Sequence, residues 1–270
     1  MHATLEWLPA QGRAEQLLLL LHDYGGSGAD MAPLAQALRS TFPQAAVLAP
    51  DAPQPSPPPP PAPQGGVAGQ APQGADAGQA LPGADAGPAR PAFQWYDVAG
   101  LTPQNWPGRV NAALPGLQAW VQAQQQRLGV GPAATALGGF SQGAVMALAL
   151  AMQHDGIAGR VLAFGGCLTH VPEVAPQHCT LHLFHGAEDE VIPADGSRQA
   201  LAQLAERQGD ATLDIARGVG HGLHPALIQC ALQRLQTHIP ARTWRAALGA
   251  AQDAARGAEP GAAQDADRPH

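Results

Sequence analysis

Five consecutive leucines, Leu17 to Leu21, follow Gln16 and stop at His22-Asp23-Tyr24-Gly25-Gly26. A short apolar run without alternation is the pattern of a strand buried on both faces of a parallel sheet. Downstream, the periodicity predicts a helix from Asp30 to Arg39 and a second strand over Ala45 to Ala49, leading to Pro50. After a gap the pattern resumes at Phe93-Gln94-Trp95-Tyr96-Asp97, and Thr102 to Leu128 reads as a long helix with a kink at Pro115. Strands are then expected at 133–138, 160–165, 180–185 and 211–216, alternating with helices at 142–154, 196–208 and 223–238. That alternation is the signature of an α/β fold, a mostly parallel sheet wrapped by helices.

The gap divides the chain. Residues 1–51 form the first part of the domain, and 92–247 its remainder. Between them, 52–91 collapse into Pro, Gly, Ala and Gln, with a proline run at 57–61 and the repeat Gly-Ala-Asp-Ala-Gly at 74–78 and 83–87. Such a composition buries too little apolar surface to order itself, so a disordered insertion is expected. Residues 248–270 lose periodicity and are read as a disordered tail.

Composition narrows the chemistry. At 270 residues the chain can hold one α/β domain with an ample core. All 14 basic residues are arginine, so a phosphate-binding loop lysine, a pyridoxal Schiff base and a lysine-activated serine are excluded. The net charge of −7, without clustered arginines, gives no footprint for nucleic acid or anionic membranes. There is no run of eighteen apolar residues to span a membrane, and Met1 to Trp7 lacks the parts of a signal peptide, so a cytoplasmic location is expected. Cys167, Cys179 and Cys230 are odd in number and scattered, which predicts buried free thiols rather than a disulfide framework or a zinc site.

The most informative stretch is Gly139-Phe140-Ser141-Gln142-Gly143, set between the apolar Ala134-Thr135-Ala136-Leu137 and the helix-forming Ala144 to Leu150. Strand, sharp turn and helix is the context of a serine nucleophile on an elbow, where the flanking glycines keep side chains out of the strand and helix. Such a serine needs a histidine base, and the histidine needs an orienting carboxylate. In an open α/β sheet both belong in loops at the carboxyl ends of later strands. The strand at 180–185 runs into Gly186-Ala187-Glu188-Asp189-Glu190-Val191-Ile192-Pro193, and that at 211–216 into Gly218-Val219-Gly220-His221-Gly222. The order Ser, Asp, His is that of α/β-hydrolases.

Five motifs in order, Leu21-His22-Asp23-Tyr24-Gly25-Gly26, Trp95-Tyr96-Asp97, Gly138 to Gly143, His185 to Pro193 and Gly220-His221, resemble the phospholipase/carboxylesterase family over roughly residues 12 to 243. The resemblance implies an α/β-hydrolase fold and a serine esterase that needs no cofactor or metal. It implies Ser141 as nucleophile, Asp189 as orienting carboxylate and His221 as general base and acid. Of the three acids in the loop, the family pattern selects Asp189 over Glu188 and Glu190. His224 is placed inside the last helix, and His22, His182 and His185 are read as structural histidines. The oxyanion donors carried over are the backbone N–H groups of Tyr24 and Gln142, although Asp23 stands where the family usually has glycine. Trp95 and Tyr96 are expected to border the substrate pocket, and Cys167 is a further candidate to face the acyl site. The implied substrate is a small-molecule carboxylic ester or thioester with a short acyl chain, since no long apolar lid segment is visible. The alternative is a catalytically weak hydrolase-fold protein that acts as a binding module through its proline-rich loop. The oligomeric state is open, a homodimer included.

Overall fold

The computed structural model describes residues 1–57, 91–170 and 173–257. Most of the expected insertion, 58–90, and the last part of the expected tail, 258–270, therefore lie outside the described residues. Met1–His238 form one compact unit.

Its centre is a seven-stranded sheet. The strands are β1 (Thr4–Trp7), β2 (Gln16–Leu21), β3 (Ala45–Pro50), β6 (Thr135–Phe140), β7 (Arg160–Phe164), β8 (Thr180–Gly186) and β9 (Ala211–Ala216), in the order β1-β3-β2-β6-β7-β8-β9. All neighbours are parallel except β1 against β3. A two-stranded ribbon pairs β4 (Gln54–Pro55) with β5 (Phe93–Gln94). The helices are α1 (Ala32–Thr41), α2 (Trp106–Leu128), α3 (Gln142–Gln153), α4 (Ala194–Glu206) and α5 (Pro225–Thr237).

The leucine run does what its lack of alternation requires. Leu17, Leu19 and Leu21 enter a core shared with α2 and α3, while Leu18 and Leu20 enter a second core with Leu34 and Leu38 of α1 and Leu227 and Ile228 of α5. Period two along a strand sends neighbours to opposite faces, so a doubly covered strand must be apolar throughout. At about 25 cal/mol per Å² of apolar area removed from water, these two cores supply the main force for folding. Polar ties close the edges: Arg127 of α2 grips Glu6 of β1 (2.8 Å), and Arg234 of α5 forks onto Asp214 of β9 through Nε (2.9 Å) and Nη2 (3.0 Å).

The elements depart from expectation at several points. The helix expected from Asp30 begins as a 3-10 turn, Gly28–Met31, because Asp30 closes back onto the Ser27 N–H (2.7 Å) before α1 starts. The long helix starts at Trp106 rather than Thr102, since Thr102 and Asn105 bond to each other's backbone as a turn, and it continues through Pro115. The insertion is also shorter at its edges than 52–91. Ala52 is fully buried with its N–H on His22 Nε2 (2.9 Å), and Ser56 N–H meets the Ala92 carbonyl (2.7 Å), so both roots of the segment are tied to the domain.

The thiol expectation holds for Cys179, which is buried, whereas Cys167 and Cys230 are half-buried; none of the three is in a disulfide. The compact unit ends at His238, earlier than the expected boundary at 247. Beyond it, α6 (Ala241–Gly257) runs across the expected boundary at 248, in keeping with the helix propensity of its Ala, Arg and Gln. Within that separate unit Trp244 and Leu248 are exposed. No helix among the described residues is long and apolar enough to cross a membrane.

Candidate active site

The sheet changes winding direction between β2 and β6, which are neighbours although β3 to β5 and two helices intervene in sequence. In open α/β sheets a crevice forms at such a point, outside the carboxyl ends of the strands. Leu21 pairs with Gly139 there, so the loop His22-Asp23-Tyr24 lies beside Ser141 at the head of α3.

Ser141 adopts φ 53°, ψ −113°, a left-handed conformation that a non-glycine residue rarely takes. Strain of this kind costs about 1–3 kcal/mol and persists only where the surroundings enforce it. The enforcing contacts are visible: Ser141 N–H donates to the Phe164 carbonyl (2.9 Å), and a Cβ on Gly143 would collide with the carbonyls of Leu21 and His22. The glycine thus lets α3 approach β2 closely enough to set the elbow.

Asp189 and His221 meet across β8 and β9. The Asp189 carboxylate accepts a hydrogen bond from His221 Nδ1 (2.8 Å) and N–H bonds from Val191 (3.0 Å) and Ile192 (2.8 Å), with His185 Nε2 at 3.1 Å. Burial opposes its ionisation, yet the bonds from His185, His221 and Ile192 outweigh burial and hold the carboxyl well below the usual carboxylate range. His221 packs its ring on Phe140 (4.8 Å between centroids), and its Nε2 is buried without a hydrogen-bond partner. Ser141, Asp189 and His221 are therefore brought to one site, with the Ser141–His221 hydrogen bond open. Such bonds often close only in the substrate complex.

The two amides expected to receive the oxyanion converge on a single oxygen. Asp23 Oδ1 accepts from Tyr24 N–H (2.5 Å) and from Gln142 N–H (3.2 Å), and Oδ2 lies 3.9 Å from His221 Nε2.

Trp95 and Tyr96 are buried, 1% and 4% exposed, and their polar atoms are engaged within the protein. Trp95 Nε1 donates to the His22 carbonyl (2.8 Å), and Tyr96 Oη accepts from Trp106 Nε1 (2.9 Å). They form a wall behind the His22–Tyr24 loop. Burial raises the Tyr96 phenol above its ordinary value, and it pushes the Cys167 thiol up to about 12.

Four residues carry roles that sequence reasoning did not assign. Gln142 contributes its side chain as well as its amide: Oε1 accepts from Trp95 N–H (2.7 Å) and Nε2 donates to the Tyr96 carbonyl (2.9 Å), clamping that segment to the elbow. His22 donates from Nδ1 to the Asp23 carbonyl (2.6 Å), and burial lowers its basicity and keeps it neutral. His185 supports Asp189, and Glu188 receives the Val219 N–H (2.8 Å), tying the acid loop to the histidine loop. His22, His185 and Glu188 all lie within the motifs already singled out; Glu188 reaches across 31 residues to Val219, whereas His22 and His185 act on Asp23 and Asp189 inside their own motifs. Glu190 is exposed, and His224 precedes α5 rather than lying within it, capping the helix by accepting the Ala226 N–H (3.2 Å).

The comparisons with known proteins agree with this architecture. The phospholipase/carboxylesterase family pattern matches residues 76–239. The chain is 35% identical to esterase YpfH of Escherichia coli strain K12, covering 87% of this chain and 88% of that protein. It is 26% identical to acyl-protein thioesterase 1 of Eremothecium gossypii, covering 56% of this chain and 68% of the relative. Among solved structures, esterase PE8 superposes with a TM-score of 0.69 at 26% identity, covering 88% of this chain and 99% of that one. The chain belongs to the phospholipase/carboxylesterase family of α/β-hydrolases and is a carboxylic ester hydrolase.

Proposed function

We propose that Ser141 attacks the ester carbonyl, that His221 takes its proton and returns it to the leaving alcohol or thiol, and that water then hydrolyses the acyl-enzyme by the same route. The observation that carries this reading is the meeting of three devices at one crevice: the strained Ser141 elbow, the Asp189–His221 hydrogen bond, and the Tyr24 and Gln142 amides aimed at one point. Asp189 on Nδ1 fixes the imidazole so that Nε2 is the base, and it stabilises the imidazolium that forms. The head of α3 adds its positive dipole end to the developing oxyanion. Loss of one oxyanion donor costs about 10²–10³ in kcat, so the two amides account for a large share of the expected rate.

The substrate is proposed to be a small-molecule ester with a short acyl chain, because no long apolar segment of the sequence could form a lid. Thioesters fit the same steps and are proposed in view of the thioesterase relative. The test is hydrolysis of p-nitrophenyl acetate, butyrate and octanoate by the wild type beside Ser141→Ala and His221→Ala. Activity should fall with chain length and drop by at least about 10⁴-fold in both variants, with circular dichroism unchanged. Turnover retained by folded Ser141→Ala would exclude the serine as nucleophile.

A further inference from the structure

We propose that Asp23 is a displaceable occupant of the oxyanion site that governs both the rate and the charge selectivity of the enzyme; this rests on the ester-hydrolysis reading above. The hydrolysis needs a neutral carbonyl oxygen, and then an oxyanion, on the N–H groups of Tyr24 and Gln142. In the structure one oxygen of the Asp23 carboxylate holds both donors (2.5 and 3.2 Å), and the other faces the unpartnered Nε2 of His221 at 3.9 Å. The carboxylate thus stands between the oxyanion donors and the general base, where the planar acyl group of a substrate has to lie. It resembles the carboxylic acid product of the reaction in both shape and charge.

Three consequences follow from charge and geometry. A neutral ester must expel a carboxylate from two charge-assisted hydrogen bonds, which are about twice as strong as those its own carbonyl forms. In its seated position the carboxylate has no arginine ion-pair partner among the described residues, its recorded ionic neighbour being His221 itself. Swung aside toward solvent it stays on the same loop as the Tyr24 amide, where its negative charge opposes the oxyanion and repels acyl groups that carry their own negative charge. A glycine at this position, having no side chain, could do none of this. The Asp23 side chain is 27% exposed, so rotation toward solvent opens the site without unfolding the loop. The loop itself is anchored independently, through the His22 ring, the Trp95 indole and the Phe93 carbonyl on Gly25 N–H (2.9 Å).

The experiment compares wild type, Asp23→Gly and Asp23→Asn, all checked for folding by thermal denaturation. On p-nitrophenyl acetate, kcat/KM should rise about tenfold or more in Asp23→Gly and by a smaller factor in Asp23→Asn, which keeps the oxygen but not the charge. The preference for p-nitrophenyl acetate over the negatively charged p-nitrophenyl hemisuccinate should narrow in both. Ser141-dependent activity that stays level or falls in the folded variants overturns the proposal, since a merely structural Asp23 predicts that result. A second readout is independent of turnover: in ¹⁵N-labelled Ser141→Ala protein, Asp23→Asn should move the amide resonance of Gln142, 119 residues away. An unmoved Gln142 amide overturns the occupancy of the site. A moved amide without Ser141-dependent turnover in any variant leaves the occupancy standing and removes the esterase mechanism instead.

Discussion

Asp189 is buried, yet it is held ionised by donors from three directions: the His221 ring, the His185 ring and the amides of Val191 and Ile192. A carboxyl group whose native value is depressed stabilises the fold above its ordinary range and loses that contribution as pH falls below it. Asp189→Asn is therefore expected to narrow the stability gap to wild type as pH drops below about 4, measured as urea midpoints at pH 6, 4 and 3. The same variant should lose about 10³–10⁴-fold in kcat at neutral pH, because an amide can present its N–H₂ group and reverse the imidazole tautomer. Serine, acid and histidine were legible at this scale because each lies in a short motif at a strand end. The uses of Glu188 and the Gln142 side chain were not, since each is defined by a partner remote in sequence, Val219 and Trp95, and the support of Asp189 by His185, four residues away, depends on how the loop after β8 folds back.

The amino ends of β7, β8 and β9, opposite the active site, hold a second set of polar residues. His182 is fully buried on β8 with Nδ1 on Thr212 Oγ1 (2.8 Å), and His238 packs edge-on at 5.1 Å while its Nε2 reaches Asp210 (3.1 Å). Burial, with Arg160, His238 and Arg234 nearby against the single favourable charge of Asp210, pushes His182 down to about 3. The ring folds neutral, while in the unfolded chain it binds a proton below about 6.5. Its stabilising effect is complete above that value and is lost progressively as pH falls toward 3. His182→Leu should flatten the dependence of Tm on pH between 6.5 and 4; an unchanged slope would mean that His182 titrates normally. His22, lowered in the same direction, accounts for part of the slope that remains. Apolar runs and helical periodicity made the buried strands and flanking helices legible. The edge strand β1 and the β4–β5 ribbon were not, being four and two residues long and defined by pairing across distant segments.

At the level of the whole molecule, 58–90 enters and leaves through the paired roots of β4 and β5, where Pro55 lies opposite Phe93 and Ser56 bonds to Ala92. Replacement of 58–90 by a short Gly-Ser linker is therefore expected to leave Tm within a few degrees of wild type and to keep hydrolysis of p-nitrophenyl acetate. Shortening a loop whose ends are already fixed changes closure entropy only by about 0.6 kcal/mol for each halving of length. A large loss of activity with an intact fold would show that the segment takes part in the reaction. By itself the sequence determined the α/β architecture, the apolar run of β2, the elbow at Ser141 and the chain order of the proposed nucleophile, acid and base, because these follow from local periodicity and short motifs. Only the tertiary structure decided which amides face which oxygen and that Asp23 fills the place between Gln142 and His221. Those are contacts between strand ends brought together by the sheet's change of direction at β2 and β6, and no local pattern encodes a distance between them.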